Sequence, residues 1–259
     1  QWYSWQKKRR GTPAFDLVPQ RFVAYLENHD QVANSACGRR LNQLASPGRH
    51  RAMTAWLLLG PQMPMLFQGQ EFSSSKPFLY FADHAPGLDE AVRSGRIEFL
   101  SQFPSLTDER VVRSLPRPGD TGTFDACKLD FDERVRHRPA YALHCDLLAL
   151  RRNDPVLARV GMRRPEGAVL GPGAFLLRYI DEEQGDRLLV VNLECDLDFA
   201  PVREPLIAPP AGARWRLAWT SEAPEYGGQG TPPIEIDGGG TVPGGCAMFF
   251  VAETSGRWS

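Results

Sequence analysis

The chain has 259 residues, 42% of them hydrophobic and 24% charged, which is ordinary for globular domains and far from a disordered or collagen-like composition. That length suffices for one large domain or two smaller ones with a sizeable core. A formal net charge of -1 supplies no field for nucleic acid or an anionic membrane, so any partner has to be recognised locally.

The five cysteines, Cys37, Cys127, Cys145, Cys195 and Cys246, are widely spaced and form no CxxC or Cys/His pattern with zinc spacing. The spacing argues against a structural metal, and an odd number of thiols suits a reducing cytoplasm. The longest apolar window, Thr54 to Phe67, is too short for a membrane span and is broken by Pro61 and Pro64. The basic run Lys7 to Arg10 lacks interleaved aromatics and reads as a solvated loop, not a nucleic-acid surface.

The chain starts at Gln1 without a methionine and carries Trp2, Tyr3 and Trp5 at once. Rings so placed gain nothing in water, so the expectation is a truncated chain whose rings pack on upstream residues, the alternative being that they fold back on this chain. Arg21 to Asn28 then reads as a strand, a β-branched and aromatic run that ends in Glu27, Asn28, His29 and Asp30. In a parallel-stranded α/β enzyme the carboxyl ends of strands carry the chemistry, which makes His29 and Asp30 candidates. The same residue types favour turns, and from these residues alone both readings stand.

Helices are predicted over Arg39 to Ala45 and Gly48 to Leu59, the second framed by Pro47-Gly48 and Gly60-Pro61, followed by a short apolar strand over Pro64 to Phe67. Strand, helix, strand on this scale is a βαβ unit whose parallel strands need cover on both faces. One such unit cannot bury its own edges, in keeping with the expected truncation. Gln68 to Arg138 is irregular and polar, with helix-like patches near Leu88 to Phe103 and Asp108 to Ser114; a connection that long reads as an elaborated functional loop.

Pro139 sits at a plausible first helical position, and Ala140 to Arg152 carries Tyr141, Leu143, Leu147, Leu148 and Leu150 at helical spacing until Asn153-Asp154-Pro155 stops it. Beyond that proline short alternating runs follow: Ala174 to Ile180, Arg187 to Leu193, Trp215 to Trp219 and Ala247 to Ala252. They predict a small antiparallel β domain, with Gly227 to Gly230 and Gly238 to Gly240 as loop tips. No phosphate-cradling glycine motif occurs. His50, His137 and His144 have no acidic partner at a recognisable spacing and read as packed or helix-surface residues. Met53, Met63 and Met65 read as core filling.

The order of the pieces, a strand ending in Asn28-His29-Asp30, a helix, a short strand ending in Phe67-Gln68-Gly69-Gln70-Glu71-Phe72, a helix and a β domain, resembles the C-terminal portion of an α-amylase superfamily glycoside hydrolase. The strings SPGRHRA at Ser46 to Ala52, LLLGPQMPMLFQGQEF at Leu57 to Phe72 and FLYFADH at Phe78 to His84 look like the trehalose-releasing members of that superfamily. The resemblance covers roughly residues 1–155 and runs more loosely through the β domain. It implies an α/β fold: the last two βα units of a (β/α)8 TIM barrel over 1–155, with an elaborated loop after the last strand, then a small antiparallel β-sandwich over 156–259.

The resemblance further implies hydrolysis of the α-1,4 bond between trehalose and a malto-oligosaccharide by a retaining route. That route needs a nucleophile and an acid/base carboxylate, which come from earlier strands and have no counterpart in this chain. Asp30 would be the third carboxylate, stabilising the transition state. His29 would donate to a hydroxyl of the same sugar and Asn28 would contribute to the loop or site. Gln68 and Gln70 become polar wall candidates, with ordinary loop polarity as the alternative. Phe78, Tyr80 and Phe81 become an aromatic platform or else a loop core, Phe78 and Tyr80 sharing one face, while Asp83 and His84 reach hydroxyls. Glu71 would be structural, bonding loops behind the site.

No cofactor and no metal are implied. The partners would be malto-oligosyltrehalose or a related α-glucan and the preceding part of the same polypeptide, in the cytoplasm. Two other functions remain open: a branching or otherwise transglycosylating enzyme of the same superfamily, and a noncatalytic glucan-binding or structural β module. The module would use Trp215, Trp219, Tyr226 and Trp258, although Trp215 and Trp219 more simply fill a sandwich core.

Overall fold

The computed structural model describes every residue except 1, 4–6, 15, 36, 86, 102–109, 111, 113–114, 160–163, 199–203, 233–239 and 255–259. Trp5, Trp258, Gly238, Gly239 and most of the helix expected over Asp108 to Ser114 therefore lie outside the described residues. The chain opens with a two-stranded antiparallel hairpin, β1 (Trp2–Tyr3) against β2 (Lys8–Arg9). Trp2 is 61% exposed there, so its ring does not fold back into the core.

Strand β3 (Val23–Ala24) runs parallel to β4 (Met63–Pro64), with Val23 opposite Met63. Between them lie α1 (His29–Ala33), α2 (Leu41–Leu44) and α3 (Pro47–Leu59), so the strand–helix–strand unit is present. Its strands are far shorter than the apolar runs of the sequence. A ladder needs a bonding neighbour as well as an apolar run, and Pro64 has no N–H to give. Met63 and Met65, expected in a core, are 50% and 37% exposed for the same reason: among the described residues nothing covers that side of the pair.

Helix α3 starts where its residues demand. Ser46 accepts from the Arg49 N–H and Pro47 takes the first turn, where its missing N–H costs nothing. Ala52, Ala55, Leu57, Leu58 and Leu59 are buried. After β4 come α4 (Asp89–Leu100), inside the segment read as a loop, then α5 (Thr121–Cys127) and α6 (Glu133–Arg136), two short helices with no strong periodicity. Helix α7 (Arg138–Asn153) carries Pro139 in its first turn and ends at Asp154, close to the predicted limits. One oxygen of Asp154 accepts from the N–H groups of Val156 and Leu157 and the other pairs with Arg187 at 2.7 Å.

Beyond Asp154 the strands are β5 (Glu166–Gly171), β6 (Ala174–Tyr179), β7 (Arg187–Asn192), β8 (Leu197–Asp198), β9 (Ala213–Thr220), β10 (Thr241–Val242) and β11 (Cys246–Thr254). Five form one antiparallel sheet in the order β5-β6-β7-β11-β9, and β8 pairs with β10 as a separate ribbon. The second layer of a sandwich is replaced by two different covers. One face, with Tyr179, Leu189, Val191, Ala247 and Phe249, packs on Leu58, Leu59, Leu143 and Leu147 of α3 and α7. The other, with Leu176, Leu188, Val190, Met248 and Phe250, packs on Ile207, Val242 and Leu197.

A register shift between Phe249 and Phe250 pairs them with Trp219 and Leu217, skipping Ala218. This bulge sends Trp219 to the helix face while Trp215 and Leu217 stay on the other, so the two tryptophans do not share one core. Trp219 Nε1 donates to the Tyr226 hydroxyl, which donates to Asp146 of α7 at 2.8 Å.

Arginines close the seam between helices and sheet. Arg51 Nη2 meets Glu222 at 2.6 Å and its Nε donates to the Ser221 carbonyl at 2.9 Å. Arg49 Nε donates to the Leu193 carbonyl at 2.7 Å. Arg151 donates to the carbonyls of Leu58, Gly60 and Gln62, taking up groups that the end of α3 leaves unpaired. The SPGRHRA string is thus a junction. Even its glycine serves contact, since a Cβ on Gly48 would stand 2.9 Å from the Gly245 carbonyl oxygen. His50 and His144 are buried at the same seam, with Nδ1 of His144 on the Ala140 carbonyl at 2.8 Å. Burial, aided by His144 and Arg51, pushes His50 down to about 4, and burial lowers His144 as well.

Candidate active site

The end of β3 is anchored by charge. Glu27 turns inward, accepts from the Leu41 N–H at 2.8 Å and faces Arg40 at 3.4 Å. Arg40 is fully buried and donates to the carbonyls of Lys76 and Gln68 at 2.7 and 2.8 Å, so one guanidinium gathers the ends of both parallel strands and the loop beyond. Burial draws its pKa down while Glu27 opposes the shift. A buried guanidinium with carbonyl and carboxylate partners fixes geometry more than it adds stability. A second buried acid, Glu133, ties the loop at Ser74 and Ser75.

With that base in place, Asn28 caps α1, its side-chain oxygen accepting from the Gln31 N–H at 2.9 Å. Turn chemistry and exposed candidate residues therefore coexist: Asn28 makes the turn, and His29 and Asp30 ride on the first turn of the helix it starts. Their side chains are 68% and 74% exposed, with Nε2 and Oδ1 3.5 Å apart. They open on a cleft of about 510 Å³ whose other walls are residues 78–81 and Val92, Arg96 and Phe99 of α4.

Among the site residues expected from the sequence, the structure brings His29, Asp30, Phe78, Tyr80 and Phe81 to this cleft. Phe78 and Phe81 belong to a stack of rings running Phe67, Phe78, Phe81, Phe124 with centroids 5.0, 5.8 and 5.2 Å apart, so they form a floor. Tyr80 stands out from it, with the Arg96 guanidinium 4.6 Å from its ring centroid. Asn28, Gln68, Gln70, Asp83 and His84 do not line the cleft. Gln68 is exposed and offers its backbone carbonyl to Arg40; Gln70 is buried and accepts from the Phe67 N–H at 3.3 Å. Asp83 is exposed, and His84 is half-buried with its Nε2 unpartnered among the described residues. Glu71 is half-buried in the single turn Gln70–Phe72, while Glu27 and Glu133 make loop-tying bonds.

Arg96, Arg40 and Glu133 were not singled out in the sequence. No local pattern distinguishes them from solvated charges, because their partners lie tens of positions away. Among the described residues no group of three or more His, Cys, Asp or Glu is placed to hold a metal ion, and no helix is long and apolar enough to cross a membrane. Among the described residues the cleft lining holds one carboxylate, Asp30, and one guanidinium, Arg96, beside an imidazole, an amide, a phenol and several apolar side chains.

The fold matches part of solved α-amylase structures. A putative α-amylase from Salmonella typhimurium superposes with a TM-score of 0.72 at 24% identity, over 95% of this chain and 38% of that one. A family described as "Domain of unknown function (DUF3459)" matches residues 162–247. At 24% identity the structural likeness shows the fold, and the family match spans about a third of this chain.

In sequence it is similar to part of the malto-oligosyltrehalose trehalohydrolases. It is 37% identical over 208 residues to the one from Deinococcus radiodurans, covering 79% of this chain and 34% of the relative. With the one from Arthrobacter ramosus it shares 38% identity over 159 residues, 60% of this chain and 27% of the relative. The chain thus spans about a third of the length of the curated relatives it matches.

Proposed function

We propose that this chain is part of a trehalohydrolase that cleaves the α-1,4 bond joining trehalose to a malto-oligosaccharide. Residues 1–155 are then the last two βα units of a (β/α)8 barrel with an elaborated loop, and 156–259 a C-terminal β domain joined to it through a shared core. The observation that carries the reading is the exposed His29–Asp30 pair, set at a ring-lined cleft and separated by four residues from the end of a parallel strand.

The chemistry is a retaining double displacement. A nucleophilic carboxylate forms a glycosyl-enzyme intermediate and a second carboxyl, about 5–5.5 Å away, protonates the leaving oxygen and then activates water. Asp30 performs neither step. It accepts hydrogen bonds from hydroxyls of the sugar beside the scissile bond, and those bonds tighten as the ring flattens toward an oxocarbenium ion. His29 donates to a hydroxyl of the same sugar. No cofactor takes part, and the cytoplasm is the compartment that fits free thiols such as Cys37, Cys145 and Cys195.

The reading is tested by assaying maltotriosyltrehalose in two forms of the protein: this 259-residue chain, and a polypeptide that adds an upstream segment supplying two catalytic carboxylates. The longer form is expected to release trehalose and the chain alone to release none. Release by the chain itself, free of host hydrolases, would refute the division of labour. Transfer of the glycosyl group to another glucan in place of water would refute the hydrolase assignment.

A further inference from the structure

Arg96 on α4 makes three contacts from one guanidinium. Nη1 donates to Oδ1 of Asn34 at 3.1 Å, and Nη2 donates to the Ala33 carbonyl. The central carbon lies 4.6 Å from the centroid of the Tyr80 ring. Ala33 is the last residue of α1 and Asn34 its C-cap, and the Asn34 N–H returns to the Asp30 carbonyl at 3.0 Å. A continuous path therefore runs from α4 through the end of α1 to the backbone of Asp30.

That path matters because α1 has only five residues. A helix so short has no stability of its own, since nucleation costs more than one turn of hydrogen bonds returns. Only Val32 and Ala33 of it are buried, and the side chains of His29 and Asp30 stand in solvent against each other. The cap at Asn28 fixes one end. At the other, Arg96 takes up the Ala33 carbonyl of the last turn, where a cation also complements the helix dipole. Half-buried in the cleft wall, it stacks and forks at once, which a lysine cannot do.

We propose that Arg96 is a positioning residue of the cleft, holding α1 and the Tyr80 ring in one arrangement so that His29 and Asp30 face a bound α-glucan. The choice of ligand rests on the proposed function; the positioning does not. The ring face of Tyr80 beneath the guanidinium is closed to a sugar, so Tyr80 meets the ligand through its remaining surface.

The experiment compares the 259-residue chain with its Arg96→Met and Arg96→Lys variants by amide hydrogen exchange, by NMR of the His29 ring and by maltotriosyltrehalose titration. In Arg96→Met, amides of residues 31–34 should exchange about tenfold faster or more, since a two-bond charged clamp is lost. The His29 ring signals should shift and affinity should fall by about the same factor, while exchange in α7 and β7 and the melting temperature stay as they were. Arg96→Lys, which keeps the charge without the fork, should lie between. Exchange, His29 signals and affinity that match the parent chain would overturn the proposal, as would faster exchange spread through the sheet, the mark of a general structural role. A parent chain that binds no glucan, with α1 still loosened in Arg96→Met, would leave Arg96 as the holder of α1 and overturn the glucan reading instead.

Discussion

The cleft and the helix–sheet seam are built from the same kinds of residues to opposite ends. At the seam, Arg51 and Glu222 are nearly buried and meet at 2.6 Å over a floor of leucines. At the cleft, His29 and Asp30 are mostly exposed, meet at 3.5 Å and sit on a helix of five residues. A pair shielded from water holds elements together. One left in water, held from behind by Asn28 and Arg96, is available to a ligand. If the proposed function holds, stability and function are separated in space, and substitutions on the two sides are expected to move different observables.

The largest effect should come from the seam. Arg51→Ala strands the Glu222 carboxylate among buried neighbours, and breaking a buried pair in this way costs about 3–5 kcal/mol. Denaturant unfolding should show that loss with maltotriosyltrehalose affinity unchanged per folded molecule. An unaltered midpoint would dissolve the contrast.

Asp30→Asn is the converse case, read in the longer, active polypeptide. It keeps the volume and removes the charge, and the loss of a preorganised electrostatic contact of this type lowers kcat about 10²–10³-fold, roughly 2.7–4 kcal/mol. The melting temperature should hardly move. Near-normal turnover with a collapsed melting temperature would return Asn28-His29-Asp30 to the status of a structural turn.

Acid should attack the seam before the cleft geometry. His50 is held at about 4 in the folded chain against an ordinary value of 6.5. Between those values the unfolded chain takes up a proton that the native state refuses, so stability is lost as pH falls through 6.5 and levels off below about 4. At about 1.4 kcal/mol per pKa unit the full cost is of order 3 kcal/mol, with His144 adding in the same direction. His50→Gln should flatten that slope in urea titrations at successive pH values; an unchanged slope would assign the acid sensitivity elsewhere.

The smallest effect belongs to the cap. Asn28→Ala removes the acceptor for the Gln31 N–H, worth about 1 kcal/mol or less, and should appear as faster exchange in α1 alone. A global drop in stability would mean that α1 belongs to the seam and not to the cleft.

The comparison also marks how far the sequence could be read. Helices α3 and α7 were legible because their stop and start signals are local: Pro47 and Gly60 for one, Pro139 and Asp154 for the other. The strands Ala174–Tyr179, Arg187–Asn192, Ala213–Thr220 and Cys246–Thr254 were legible through alternation and flanking turns. His29 and Asp30 stood out because an apolar run stops at them, and residues 78–81 through the FLYFADH string. Only the tertiary structure decided the rest. The bulge that parts Trp215 from Trp219 depends on the register of β9 against β11, which neither strand encodes alone. Gln68, Gln70, Asp83 and His84 carry the right chemistry, and whether they reach the cleft depends on how the loop after β4 folds round Arg40. Arg40, Arg51 and Arg96 find their partners 13 to 176 positions away, as the separations of Arg40 from Glu27 and of Arg51 from Gly227 show. Local periodicity reports which way a residue faces along its own element; it holds no record of what a long, flexible cation will meet across the fold.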